Sequence, residues 1–133
     1  MLQLPVADPQ AMLRIRLAPE DARYAGGLVP GSKAMEIFAD LETELALVEG
    51  GDEGLCAAYH SVEFLAPLRV GDFVHGVAWV ESRGSRSRRI QAHLYKVVAV
   101  DQNGALEPLS EPILAATATA TIVVGTSQPR GNN

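Results

Sequence analysis

Residues 33–49 contain no helix breaker, and Ala34, Ile37, Phe38, Leu41, Leu45 and Val48 recur within them at three- and four-residue steps. That spacing places them on one face of a helix. Ser32 is a candidate N-cap, with Gly31 as its rival, and Gly50-Gly51 ends the pattern. The helix reads as apolar over more than half its circumference, so it must be largely enclosed. Every other patterned segment reads as strand, so the enclosing element has to be a sheet.

The strands follow from a period of two. Leu13-Arg14-Ile15-Arg16-Leu17 alternates apolar and basic residues, and Pro19 ends it. After the helix, residues 55–65 form a strand closed by Pro67, and residues 73–82 form another, preceded by Gly71-Asp72. Residues 83–86 are a turn. A long strand over 87–100 carries Ile90, Ala92, Leu94 and Tyr95 on its apolar face, and Asn103-Gly104 marks the next turn. In the last strand, 113–124, Ala116, Ala118 and Ala120 alternate with Thr117, Thr119 and Thr121. Small side chains on one face allow a helix to come close. Four consecutive strands joined by short turns make an antiparallel sheet. One helix on such a sheet is an α+β two-layer domain. The expectation is one domain over residues 1–133, its core spanning roughly 12–124, with 125–133 a flexible tail.

Composition narrows the function. A net charge of −5 argues against a general nucleic-acid binder. The longest apolar runs, 97–100 and 122–124, are far short of a membrane span. No secretory pattern opens the chain, so a cytoplasmic location is expected. One cysteine, Cys56, excludes an intrachain disulfide and a cysteine-rich metal site, and reads as a small buried residue. No His, Asp, Glu or Cys spacing suggests a metal. Glycine-rich nucleotide motifs and a Gly-x-Ser-x-Gly elbow are absent. The charge is uneven, because Arg83, Arg86, Arg88, Arg89 and Lys96 are five of the eleven basic residues. Such a patch is either a solvated hairpin end or a seat for a small anion.

The stretch Tyr24-Ala25-Gly26-Gly27-Leu28-Val29-Pro30-Gly31, followed by Phe38-Ala39-Asp40-Leu41-Glu42-Thr43-Glu44-Leu45, resembles the hotdog-fold acyl-CoA enzymes. Gly51-Asp52-Glu53-Gly54-Leu55, Val62-Glu63-Phe64-Leu65-Ala66-Pro67, Val70-Gly71-Asp72-Phe73, Arg86-Ser87-Arg88 and Glu111-Pro112-Ile113-Leu114 extend the likeness over nearly the whole chain. Within that fold the sequence is most similar to the 3-aminobutyryl-CoA and β-alanyl-CoA ammonia-lyases. The resemblance implies a long central helix wrapped by a curved antiparallel sheet of about five strands. It also implies a homodimer, dimer of dimers or higher homo-oligomer, with coenzyme A entering only as part of the substrate. Three positions depart from the lyase pattern: Arg23 replaces a histidine, Ala25 a glycine, and Pro30 a small or acidic residue. If that histidine shapes substrate choice or proton transfer, these changes point to another acyl-CoA or another reaction.

Ammonia elimination from a 3-aminoacyl-CoA needs a base for the α proton, stabilisation of the thioester enolate, and a group that manages the amine. Glu36, Asp40 and Glu44 share one helix stripe at four-residue steps. Mutual repulsion and burial would raise their pKa values towards a useful range. The same spacing also describes a solvated face. The resemblance favours Asp40 as base with Glu44 beside it, and Tyr24 as a hydroxyl donor. Gly26, Gly27 and Gly31 precede the helix, where backbone N–H groups can polarise a thioester carbonyl. Tyr59 and Glu63 are expected beside the acyl group. Ser87, Arg86 and Arg88 are expected on the phosphates of coenzyme A. An acyl-CoA thioesterase, using the same carboxylate on water, and a non-catalytic acyl-CoA binder are the rival readings.

Overall fold

In the computed structural model, which describes residues 3–125, the predicted helix runs over Gly31–Gly50. It is preceded by β1 (Ala11–Arg16) and a two-residue strand β2 (Leu28–Val29). It is followed by β3 (Leu55–Phe64), a second two-residue strand β4 (Leu68–Arg69), β5 (Phe73–Arg83), β6 (Ser87–Val100) and β7 (Leu106–Val123). The N-cap of the helix α1 is Pro30, not Ser32. Proline fixes φ and stops the helix from extending backwards, and its carbonyl accepts the Lys33 N–H at 3.0 Å. The stop is as read: Gly51 takes φ 78°, and its N–H returns to the Leu47 carbonyl at 3.0 Å. The tail at 126–133 lies outside the described residues.

The buried helix residues are Ala34, Ile37, Phe38, Leu41, Glu42, Leu45 and Ala46. They form an unbroken three–four stripe, so the covered face turns away from Val48, which is 72% exposed. Enclosure is therefore one-sided. The covered side lies on the sheet at bare backbone: a Cβ on Gly76 would sit 3.0 Å from Ile37 Cγ2 and 3.1 Å from Leu41 Cδ1. Ala78, Ala92, Ala116, Ala118 and Ala120 are buried around it. The alternating alanines do what their size suggested, while Thr117, Thr119 and Thr121 face the other way. Tyr95 is buried with His93 rather than with Leu94, its hydroxyl 3.1 Å from His93 Nδ1. A register shift between Leu94 and Tyr95 accompanies the change.

All five long strands are antiparallel, in the order β1-β5-β6-β7-β3. The expectation of sequential neighbours holds from β5 to β7 and fails for β3, which lies at the far edge beside β7. Residues 65–72 carry the chain across the end of the sheet to β5. Asp72 pins this crossing. It is fully buried, and its carboxylate accepts the Arg69 and Val100 N–H groups, each at 2.9 Å. Lys96 Nζ lies 3.1 Å from it and also donates to the Pro67 carbonyl at 2.6 Å. β7 begins seven residues before the sequence reading placed it, despite Pro108 and Pro112. Only the stretch from Ala116 onward is sandwiched by β3, so the prolines lie where one ladder is missing.

Candidate active site

The N-terminal end of α1 opens onto a cavity of about 230 Å³ lined by Tyr24, Pro30, Gly31, Phe64, Ala115 and Ala116, among others. Gly31 makes this contact possible: a Cβ there would fall 2.7 Å from the Phe64 ring. With the Lys33 N–H taken by the Pro30 carbonyl, the Gly31 and Ser32 N–H groups have no partner inside the helix, and the helix dipole is positive at that end. Gly26 and Gly27 build the approach, both with positive φ, at 75° and 74°. The Gly27 carbonyl accepts the Val70 N–H at 2.9 Å, which ties this turn to β4. Two of the predicted residues, Tyr24 and Gly31, therefore meet here, with Pro30 between them. Arg23 points elsewhere, its guanidinium donating to the Glu20 and Ala22 carbonyls.

The helix acids divide differently from the expectation. Glu36 is exposed and bonded to Lys33 Nζ at 2.8 Å. Asp40 and Glu44 are exposed on the same side. At 1.5 Å per residue, Asp40 stands about 14 Å along the axis from Gly31, so one chain does not place it in the N-terminal cavity. Burial falls instead on Glu42, which is 4% exposed. Its carboxylate accepts the Tyr59 hydroxyl at 2.5 Å. Burial pushes the Glu42 carboxyl above the usual carboxylate range, and the Tyr59 bond only partly offsets it. Tyr59 itself is driven well above the phenol range by burial and by the carboxylate it bonds. Cys56, expected to be buried, is exposed on β3, and desolvation followed by the nearby Glu42 raises its thiol.

Sequence reasoning passed over Glu42 because it sought acids spaced from one another. The signal was present, since Glu42 sits four residues after Phe38, inside the apolar stripe. Glu63 is exposed and accepts the Thr117 hydroxyl at 3.4 Å.

The arginine-rich hairpin end is tied to the far end of α1. Arg83 donates Nε and a terminal nitrogen to Glu49 at 2.9 and 2.7 Å, and Arg88 Nε reaches the same carboxylate at 2.8 Å. Arg88 also donates to the Gly84 and Ser87 carbonyls. Arg83 chiefly, with Arg88, holds the Glu49 carboxyl down at about 2. Arg86 donates to the Gly125 carbonyl at 2.9 Å. Much of the hydrogen-bonding capacity of Arg83 and Arg88 is therefore used within the fold. Among the described residues, no group of three or more His, Cys, Asp or Glu could hold a metal ion, and no helix is long and apolar enough to cross a membrane.

No protein-family model matches this chain. It is 37% identical over 124 residues to the 3-aminobutyryl-CoA ammonia lyase of Acetoanaerobium sticklandii, a match covering 91% of this chain and 98% of that protein. Among solved structures, it superimposes on the β-alanyl-CoA:ammonia lyase from Clostridium propionicum with a TM-score of 0.81 and 31% identity, covering 86% of this chain and 83% of the other. A hexameric hotdog-fold thioesterase of Campylobacter jejuni matches at a TM-score of 0.74 over 90% of this chain and 84% of its own, at 20% identity, a likeness of fold alone.

Proposed function

This chain belongs to the family of the 3-aminobutyryl-CoA ammonia lyase, and on that footing we propose that it is a carbon–nitrogen lyase of hotdog fold that removes ammonia from, or adds it to, a 3-aminoacyl-CoA thioester. The relationship to a lyase along nearly the whole chain is the observation that carries the reading. The cavity at the helix N-terminus supports it, because an enolate needs fixed N–H donors where its negative charge develops.

In this reading the thioester carbonyl points at the first turn of α1 beside Gly31, with Gly26 and Gly27 shaping the approach and Tyr24 supplying a hydroxyl. Ser87, Arg86 and Arg88 sit on the phosphates of coenzyme A. Tyr59 and Glu63 flank the acyl group. No cofactor beyond the coenzyme A of the substrate is required, and the enzyme works in the cytoplasm.

The base comes from a second copy. β3 is a ten-residue edge strand, exposed over most of its length, and such an edge calls for a partner. α1 runs beside it in the opposite direction, with Gly31 against Phe64 and Ala46 against Gly54. If two β3 edges pair antiparallel about the midpoint between Tyr59 and His60, Leu55 of the partner subunit comes opposite Phe64. The partner's helix is then level with the N-terminal cavity near residue 45. That sets the partner subunit's Glu44 level with the cavity along the axis, and the partner subunit's Asp40 about one turn away, at 1.5 Å per residue. The base removes the α proton, the electron pair moves into the enolate, and the enolate expels the protonated amine from the β carbon as neutral ammonia, which takes up the proton held by the base and leaves as ammonium.

The test is mass spectrometry of the protein incubated with crotonyl-CoA and ammonium. A product heavier by one ammonia is expected. Free coenzyme A with crotonate would mean a thioesterase, and an unchanged ligand bound tightly would mean a binding protein.

A further inference from the structure

The buried and half-buried acids of this protein differ in how their charge is met. Asp72 faces Lys96 Nζ at 3.1 Å and accepts two backbone N–H groups. Glu49 faces two arginines. Asp52 accepts the Gly54 N–H at 2.9 Å. Glu42 is buried with a phenol and a thiol beside it, and among the described residues no lysine, arginine or histidine forms an ion pair with it. A carboxylate in such a place lacks its counter-charge.

We propose that Glu42 and the Tyr59 hydroxyl form the seat of the substrate's protonated amine and of the ammonium ion it becomes. The proposal rests on the lyase reading and adds to it the group that recognises nitrogen. Tyr59 gives its proton to Glu42 at 2.5 Å. Its oxygen therefore offers lone pairs, not a donor, to any third group. Two acceptor oxygens with no competing cation suit a primary ammonium, which carries N–H donors in every direction and matches the missing charge. A quaternary ammonium is too wide and has no N–H to give.

Glu42 turns toward β3, the edge on which a second copy would pair, because it bonds Tyr59 of that strand. Glu42 lies about 4 Å along the axis from the helix level that comes opposite the neighbouring cavity, at 1.5 Å per residue. The amine nitrogen of a 3-aminoacyl thioester is three bonds from the carbonyl carbon, a comparable step. Glu42 also explains why a carboxylate interrupts an otherwise apolar stripe, at a position where leucine would pack without cost.

The experiment compares wild type, Glu42→Gln and Tyr59→Phe in two measurements. The first is thermal unfolding in ammonium, potassium and tetramethylammonium chloride at equal ionic strength. Ammonium should raise the wild-type Tm above both other salts, and Glu42→Gln should abolish the difference. The second is initial-rate kinetics of ammonia addition to crotonyl-CoA. Glu42→Gln should raise KM for ammonium roughly tenfold or more, about 1.4 kcal/mol of binding per decade, with KM for crotonyl-CoA within about twofold. Gln keeps an acceptor for Tyr59; should it misfold, Tyr59→Phe carries the test with a smaller rise in the same constant. An unchanged KM for ammonium in a folded variant overturns the seat, as does potassium matching ammonium in wild type. Wild type that never adds ammonia but shows the ammonium-specific Tm shift would retain the seat and refute the lyase reading instead.

Discussion

Replacing Asp72 by alanine should cost this fold much of its stability, and the structure sets the size. Two backbone N–H groups, of Arg69 and Val100, lose their acceptor, and a buried unsatisfied donor costs about 1–3 kcal/mol. Lys96, 7% exposed, loses its counter-charge, and stranding one member of a buried pair costs about 3–5 kcal/mol. The effects share one site and do not add fully, so a loss of about 4–6 kcal/mol is expected, against a typical total of about 5–15 kcal/mol. An unfolding entropy of about 2.1 cal/mol/K per residue over 133 residues makes each kcal/mol worth about 3.6 °C. The melting temperature should therefore fall by about 14–21 °C. Urea unfolding followed by the fluorescence of Trp79, the single tryptophan, measures the free energy directly. The double variant Asp72→Asn with Lys96→Met removes both charges and should be about 2 kcal/mol more stable than Asp72→Ala. A loss under about 1 kcal/mol for Asp72→Ala, or a double variant no better than the single, would refute the assignment of Asp72 as the pin of the crossing.

Two further outcomes are expected. Glu49 has its pKa lowered to about 2 in the folded protein, so its contribution is complete above its ordinary value near 4.5 and is lost as pH falls towards 2. Glu49→Gln should cost about 1 kcal/mol at neutral pH and flatten the acid limb of a stability-against-pH curve; an unchanged acid limb would contradict the pairing with Arg83 and Arg88. Gly31→Ala places a Cβ 2.7 Å from the Phe64 ring, so the ring, which lines the cavity, must shift at a cost of about 1–3 kcal/mol. On the proposed substrate its kcat/KM should drop at least about tenfold, a barrier rise of about 1.4 kcal/mol, with Phe64→Leu restoring part of the loss.

Local chemistry was legible and partner choice was not. Gly51 stops the helix because glycine alone tolerates its φ of 78° cheaply, and that is written in the sequence. The start moved from Ser32 to Pro30 because the fixed proline φ outweighs a serine side-chain cap. Nothing in residues 55–65 encodes a neighbour, so β3 looked like a companion of β5 until the register with β7 placed it at the opposite edge. Pro108 and Pro112 hid the first third of β7, since their tolerance depends on a ladder that is absent there. The site divides in the same way. Tyr24 and Gly31 meet at one cavity because both flank a short, well-punctuated turn. Glu42 was passed over beside the evenly spaced acids Glu36, Asp40 and Glu44, although it kept the period of the buried stripe. The arginine density at 83–89 was plain, while its tie to Glu49, more than thirty residues back in the chain, was not.

The position of β3 governs the order in which the chain can assemble. Phe64 pairs with Ala116 and Leu55 with Val123, so the strand is finished long before β7, its neighbour among the described residues, exists. At about 5–20 residues per second of synthesis, it waits about 3–12 s with both backbone edges open. During that interval β1, β5 and β6 can close on one another through their own hairpin and ladder. The ten residues of β3, which include Leu55, Tyr59, Val62 and Phe64, cannot. β7 then closes two ladders at once, against β6 and against β3, which makes it the latest and most cooperative step of folding. Chains stopped short of residue 116 will carry an unpaired apolar strand, and aggregation of such fragments should begin there.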